Sequence, residues 1–301
     1  MIMTRILAIT NQKGGVGKTT TSINLAASLA AEGRKVLLID LDPQGNATMG
    51  SGVDKRTLRH TVYEVLLGTA TLSAVRVRSA SGGYDLIPAN RELAGAEIEM
   101  VDLPEREKRL KKALEEIISE YAYILIDCPP ALNLLTVNGL CAADAVMIPM
   151  QCEYYALEGL SDLVQTIKKV RQSLNPKLEI EGLLRTMYDP RNTLAQQVSQ
   201  QLQQHFGDKV YRTMIPRNVR LAEAPSHGVP ALNFDRQSKG AQAYVALAGE
   251  MLEKHAERFK RSDLRGYHDF LWAWLEISEG KFEEASPKID AVDEWLKSHR
   301  L

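Results

Sequence analysis

A glycine-rich loop, Gln12-Lys13-Gly14-Gly15-Val16-Gly17-Lys18-Thr19-Thr20, stands between the apolar run from Arg5 to Thr10 and a stretch with helical spacing. A strand, a glycine loop and a helix in that order make an anion-binding unit. Glycines let successive backbone N–H groups turn inward around a phosphate, and the start of the following helix adds its positive dipole end. In such a loop Lys18 reaches the β- and γ-phosphates of a nucleotide, and the Thr19 hydroxyl is a ligand for Mg²⁺. The general pattern G-x-x-x-x-G-K-[ST] is not strictly met, because Gln12 stands where its first glycine belongs. The compensating feature is Lys13.

The rest of the chain has room for the fold this unit implies. At 301 residues it can bury a large core without a second domain. Short apolar runs alternate with helical patterns: Val36 to Asp40, Ala122 to Asp127, Ala145 to Pro149, Ile180 to Leu184 and Val210 to Ile215. Strands buried on both faces read this way. Between them, Thr19 to Glu32 closed by Gly33 and Glu158 to Leu174 closed by Asn175-Pro176 carry helical spacing and stop signals. The expected fold is α/β: a mostly parallel, doubly wound sheet flanked by helices, with ligands at the carboxyl ends of the strands.

Two of those strands end in acids. Val36-Leu-Leu-Ile-Asp40-Leu-Asp42-Pro-Gln-Gly puts Asp40 and Asp42 beside the phosphate loop, and a buried strand with two terminal carboxylates needs a reason. Asp-Pro-Gln-Gly is also a turn, which accounts for the shape and for one acid. Ile124-Leu-Ile-Asp127-Cys-Pro-Pro130 repeats the pattern by which phosphate-loop ATPases hold Mg²⁺ through a water. Cys128 reads as a small packing residue.

Lys13-Gly-Gly-Val-Gly-Lys-Thr-Thr20, with its second lysine before the glycine pair, resembles the deviant Walker A loop of the ParA/MinD family of ATPases, and the resemblance runs over roughly residues 4 to 258. It implies ATP with Mg²⁺ held by Lys13, Gly14, Gly15, Val16, Gly17, Lys18, Thr19 and Thr20. In the family the early lysine crosses a nucleotide-sandwich homodimer, which makes Lys13, with Lys18, a catalytic candidate; otherwise it is a solvated loop lysine or binds its own nucleotide. By the same resemblance Asp42 positions the attacking water, Asp40 supports the metal shell or Lys18, and Asp127 belongs to the metal site. The family's base pocket lies after its sixth and seventh strands, here Thr186-Met187 and Pro216-Arg217-Asn218. Met187 or Pro216 would pack on the adenine and Asn218 would read its edge, unless Pro-Arg-Asn is only a turn.

Arg191 and Arg220 match positions that resemble DNA-contacting arginines of chromosomal ParA/Soj proteins; a plain exposed-surface reading stays open for both. The implied activity is an ATPase switch whose dimer binds double-stranded DNA without sequence specificity and whose hydrolysis a ParB-like partner stimulates. Arg185 departs from the apolar residue usual at its place, and either a basic face or a carboxylate partner would account for it.

Charge is unevenly spread. The chain totals 37 Lys+Arg and 38 Asp+Glu, but residues 263–301 hold nine acids and five bases, so residues 1–262 carry a net +3. That is compatible with a weak DNA-binding face. Residues 1–262 are expected to form the ATPase domain. The acidic tail 263–301, holding all three tryptophans, Trp272, Trp274 and Trp295, reads as two helices broken near Ser286-Pro287, as an interaction tail, or as a fused foreign segment.

Other classes fit less well. A MinD-like membrane switch needs a basic amphipathic helix near its carboxyl end; Glu250 to Arg261 is moderately basic, but the acidic segment follows it. Iron–sulfur carriers of this fold bridge a cluster with two thiolates per subunit, often as C-x-x-C, whereas Cys128, Cys141 and Cys152 have no such spacing. A biosynthetic synthetase would need a substrate pocket that the sequence does not display. The cysteine usage, the lack of a leader and the absence of an 18-residue apolar run point to a reducing cytosol, with nucleoid association implied by the resemblance and no membrane span.

Overall fold

The computed structural model describes residues 4–257. One compact unit spans Thr4–Ala248. Its centre is an eight-stranded sheet of β1 (Arg5–Ile9), β2 (Val36–Asp40), β3 (Val77–Ser79), β4 (Tyr84–Ile87), β5 (Tyr123–Asp127), β6 (Ala145–Gln151), β7 (Glu179–Tyr188) and β8 (Val210–Pro216), in the order β3-β4-β2-β5-β1-β6-β7-β8. Only β3 runs antiparallel, against β4; every other neighbouring pair is parallel. The expected doubly wound α/β sheet is therefore present.

Burial on both faces explains the composition of the strands. All five residues of β2 and all five of β5 are buried, acids included, and helices cover them. The helix Ala156–Ser173 lays Ala156, Leu160, Leu163, Ile167 and Val170 against the core at helical spacing. Local signals place the other ends: Thr61 and Glu64 form a capping box for Val62–Leu67, and Asn133 caps Leu134–Ala142. Pro149, unusual in a central strand, lies beyond the last β1–β6 pair, Ile9 with Met147. There the Asn11 Nδ2 donates to its carbonyl at 2.8 Å.

Two strands, β3 and β4, are not visible as apolar runs. The first is short, exposes Arg78 and sits at the sheet edge; the second, Tyr-Asp-Leu-Ile, is too brief for periodicity to mark. Counting them makes the base-pocket strands the seventh and eighth. β7 also runs four residues past the expected Leu184, for reasons given below.

A helix continues from residue 239 to the end of this unit, and residues 249–257, in the second unit, are helical too. The expected boundary at residue 262 and the tail 263–301 lie outside the described residues. No helix among the described residues is long and apolar enough to cross a membrane.

Candidate active site

Sheet order brings the motif loops to one edge. β1 lies between β5 and β6, so the loop after Ile9 opens beside the ends of both; Ile9 and Asp40 each stand in register with Asp127. Gly15 and Gly17 have φ of 72° and 88°, the left-handed region that glycine enters without steric cost, and the helix Lys18–Ala31 starts directly after them. A Cβ on Gly14 or Gly15 would meet nothing within 4 Å, so one side of the loop is open for a ligand. Asn11, which sequence reasoning passed over, accepts from the Lys13 N–H at 3.0 Å and ties the loop to β6.

Lys18 is 7 % exposed, and its ammonium donates to the Lys13 carbonyl at 3.2 Å. Burial lowers its pKa, partly offset by the charges of Asp127 and Asp42. Thr19 Oγ1 donates to Asp127 Oδ2 and Ser22 Oγ to Asp127 Oδ1, both at 2.8 Å. Ser22 follows Thr19 by three residues on the same helix face, a spacing that could have revealed it. Asp40 is held differently: its carboxylate accepts from the Thr48 N–H at 2.8 Å, the Thr48 hydroxyl at 2.7 Å and the Asp42 N–H at 3.1 Å. Its visible work is to pin the segment after β2. Asp42 is half-buried and accepts from the Gln44 N–H at 2.9 Å, so the turn reading and its nearness to Lys18 and Asp127 both hold.

Burial raises the pKa of Asp40 and, more, of Asp127, whose rise is reinforced by the charge of Asp40. Two fully buried carboxylates side by side ask for a cation. Among the described residues no three His, Cys, Asp or Glu side chains converge to hold a metal unaided. The donor set, one threonine hydroxyl with a buried carboxylate behind it and an open phosphate loop beside it, suits Mg²⁺ completed by phosphate and water oxygens. The sign of the linkage gives a prediction. A carboxylate whose pKa is raised on folding leaves the folded protein less stable as pH climbs above the ordinary carboxylate value near 3.8. Asp127→Asn is therefore expected to raise the melting temperature of the nucleotide-free protein by several degrees at pH 8 and hardly at all at pH 4, with about 2–4 °C per kcal/mol for a chain this size. Melting curves at the two pH values check it.

Lys13 is half-exposed and its ammonium donates to Glu153 Oε2 at 2.5 Å. An exposed pair of this kind is weak, so Lys13 is free to leave for a stronger anion. Glu153, just past β6, had no signal in the sequence.

Beside the loop a cavity of about 170 Å³ is lined by Gly17, Thr20, Thr186, Met187, Pro216, Arg217, Asn218 and Tyr244 among others. The residues expected for an adenine site thus converge, from β7 and β8, next to the phosphate loop. Asn218 lines this cavity and also caps the helix Val219–Glu223, its Oδ1 accepting from the Arg220 N–H at 3.0 Å. Both its pocket and turn readings are compatible with that place. Arg191 is 89 % exposed and is gripped bidentately by Asp189. Arg220 pairs with Glu223 at 2.8 Å and Asp235 at 3.3 Å. Both arginines follow neighbouring strands and share an edge, each with acids in attendance.

Arg185 is buried rather than part of a surface base, and its guanidinium donates to Ser199 Oγ at 2.7 Å and to the Tyr211 carbonyl at 2.6 Å. These bonds tie β7 to the helix Thr193–Phe206 and to β8, and the strand runs on past Leu184 because Arg185 and Thr186 pair with Met150 and Gln151 of β6 and Tyr188 with Pro216 of β8. The three cysteines are buried, and burial raises the pKa of each thiol.

Comparison with known proteins agrees with this geometry. A family model described as an AAA domain matches residues 4–180. The chain is 54 % identical to the chromosome partitioning protein ParA of Caulobacter vibrioides over 256 residues, 84 % of this chain and 96 % of that one. It is 55 % identical to the sporulation initiation inhibitor protein Soj of Bacillus subtilis over 249 residues, 83 % and 98 % of the two chains. Among solved structures, cobyrinic acid a,c-diamide synthase from Mycobacterium smegmatis with bound ADP and magnesium superposes with a TM-score of 0.74 at 42 % identity, over 83 % of this chain and 94 % of that one.

Proposed function

Because this chain belongs to the ParA/Soj family of partitioning ATPases, we propose that it is an ATP-timed switch: with ATP it pairs into a homodimer that binds double-stranded DNA without sequence preference, and hydrolysis, stimulated by a ParB-like partner, releases it. The observation that carries this reading is the convergence of Lys18, Thr19, Asp127 and the base cavity on one sheet edge, with Lys13 on the same loop and the two arginines on the same edge.

Each residue has a role that follows from its place. The open loop from Gly14 to Thr20 presents N–H groups to the phosphates, and Lys18 neutralises their charge in a site where burial strengthens it. Thr19, backed by Asp127, would hold Mg²⁺, which when bound draws charge from the β- and γ-phosphate oxygens. Asp42, half-buried and close to Lys18, orients water at the γ-phosphate. Lys13 exchanges its weak pairing with Glu153 for the nucleotide of a second subunit, so that dimerisation reports ATP. Arg191 and Arg220 would add phosphate contacts; two copies in a dimer turn a negligible affinity into a useful one. The higher identity to partitioning proteins than to the synthase favours this reading over a biosynthetic one.

The experiment is binding to a random-sequence duplex at low and moderate salt, with ATP, with ADP and without nucleotide. Binding is expected only with ATP, to fall steeply with salt, and to drop by about tenfold or more in Arg220→Glu. Binding that ignored the nucleotide, or none at all, would overturn the DNA switch and leave the ATPase.

A further inference from the structure

One side chain joins the phosphate loop to the base cavity. Thr186, near the end of β7, is 2 % exposed, and its Oγ1 donates to the carbonyl of Val16 at 2.7 Å across 170 positions of sequence. Its neighbourhood is held from both sides. One residue earlier, Arg185 is fastened to Ser199 and to β8. One residue later, Met187 sits at φ 49°, a conformation non-glycine residues seldom adopt, with its sulfur accepting from Gln151 Nε2 at 2.9 Å. Thr186 and Met187 both line the base cavity.

The bond acts on a defined peptide. In a trans peptide the C=O and the next N–H point in opposite directions. A hydroxyl that draws the Val16 carbonyl toward β7 therefore turns the Gly17 N–H away from β7. Gly17 is the residue at φ 88° from which the Lys18 helix starts, and a Cβ on it would lie 3.7 Å from the Thr186 Cβ, so the two are already in near contact. Backbone N–H groups are the anion-binding elements of such a loop. Packing alone would be satisfied by any β-branched side chain of this size; only a hydroxyl can orient the peptide.

We propose that Thr186 is a positioning residue for the nucleotide reaction: it sets the orientation of the Val16–Gly17 peptide, and so ties the phosphate cradle to the wall of the base cavity. This rests on the nucleotide reading of the site. Thr186→Val removes the hydroxyl and keeps the shape, while Thr186→Ser keeps the hydroxyl. In the nucleotide-free protein, amide exchange over residues 14–19 is expected to quicken about tenfold in the valine variant and stay near wild type in the serine variant. Mg·ADP affinity is expected to fall about tenfold in Thr186→Val, equivalent to about 1.4 kcal/mol, and to be largely retained in Thr186→Ser, with both melting temperatures close to wild type. Unchanged exchange and affinity in the valine variant would overturn the inference, as would equal losses in both variants or losses that track melting temperature. Wild type that binds no ADP would instead overturn the nucleotide reading.

Discussion

Lys18→Ala is expected to weaken Mg·ATP binding by about a hundredfold or more, close to 3 kcal/mol at 1.4 kcal/mol per tenfold. The reason lies in how the wild-type side chain is held. The residue is 7 % exposed, its ammonium hydrogen-bonds a carbonyl of its own loop, and burial presses its pKa down. A desolvated cation gains more from an incoming phosphate than a hydrated one, since the Coulomb attraction is less screened and the hydrogen bond is charge-assisted. The check is the rise in melting temperature with added Mg·ATP: large in the wild type, near zero in the variant. The nucleotide-free melting temperature serves as the control for folding. An undiminished rise in Lys18→Ala would remove the loop from nucleotide binding.

Asp42→Ala should separate binding from turnover. Its carboxylate is half-buried, lies within electrostatic range of Lys18 and Asp127, and is braced by the Gln44 N–H. A group that orients or accepts a proton from the attacking water contributes typically about 10²–10⁴-fold to rate. Removing it is expected to lower kcat within that range while changing the dissociation constant for Mg·ATP by less than about threefold, because the phosphate contacts come from other residues. Single-turnover hydrolysis alongside equilibrium binding makes the test. If hydrolysis persisted at the wild-type rate, the acid would be only the first residue of the Asp-Pro-Gln-Gly turn.

The two variants divide the site by function. Lys18 and the loop are expected to govern binding, and Asp42 to govern timing. Asp40, by contrast, spends its carboxylate on Thr48 and on the Asp42 N–H. It therefore holds Asp42 in place whatever else it contributes.

What the sequence by itself determined is local. The strand, the glycine loop and the helix were legible because each depends on neighbours in the chain: apolar runs for buried strands, positive φ at Gly15 and Gly17, and a helix start directly after. The acids at the ends of β2 and β5 were legible too, although strands often end in aspartate and only the phosphate loop upstream gave them a meaning. Tertiary structure alone decided the partnerships. Asp127 meets Thr19 and Ser22 because β5 pairs with β1, 118 positions apart at Arg5 and Tyr123. Lys13 meets Glu153 because β6 flanks β1 on the other side, and Thr186 meets Val16 because β7 comes next. Arg185, ambiguous as a letter, became an anchor once β8 supplied its carbonyl acceptors. Spacing along a chain sets which side chains share a helix face or a strand face, but hydrogen bonds act over about 3 Å. Only the lateral order of the strands brings residues more than a hundred positions apart within that reach.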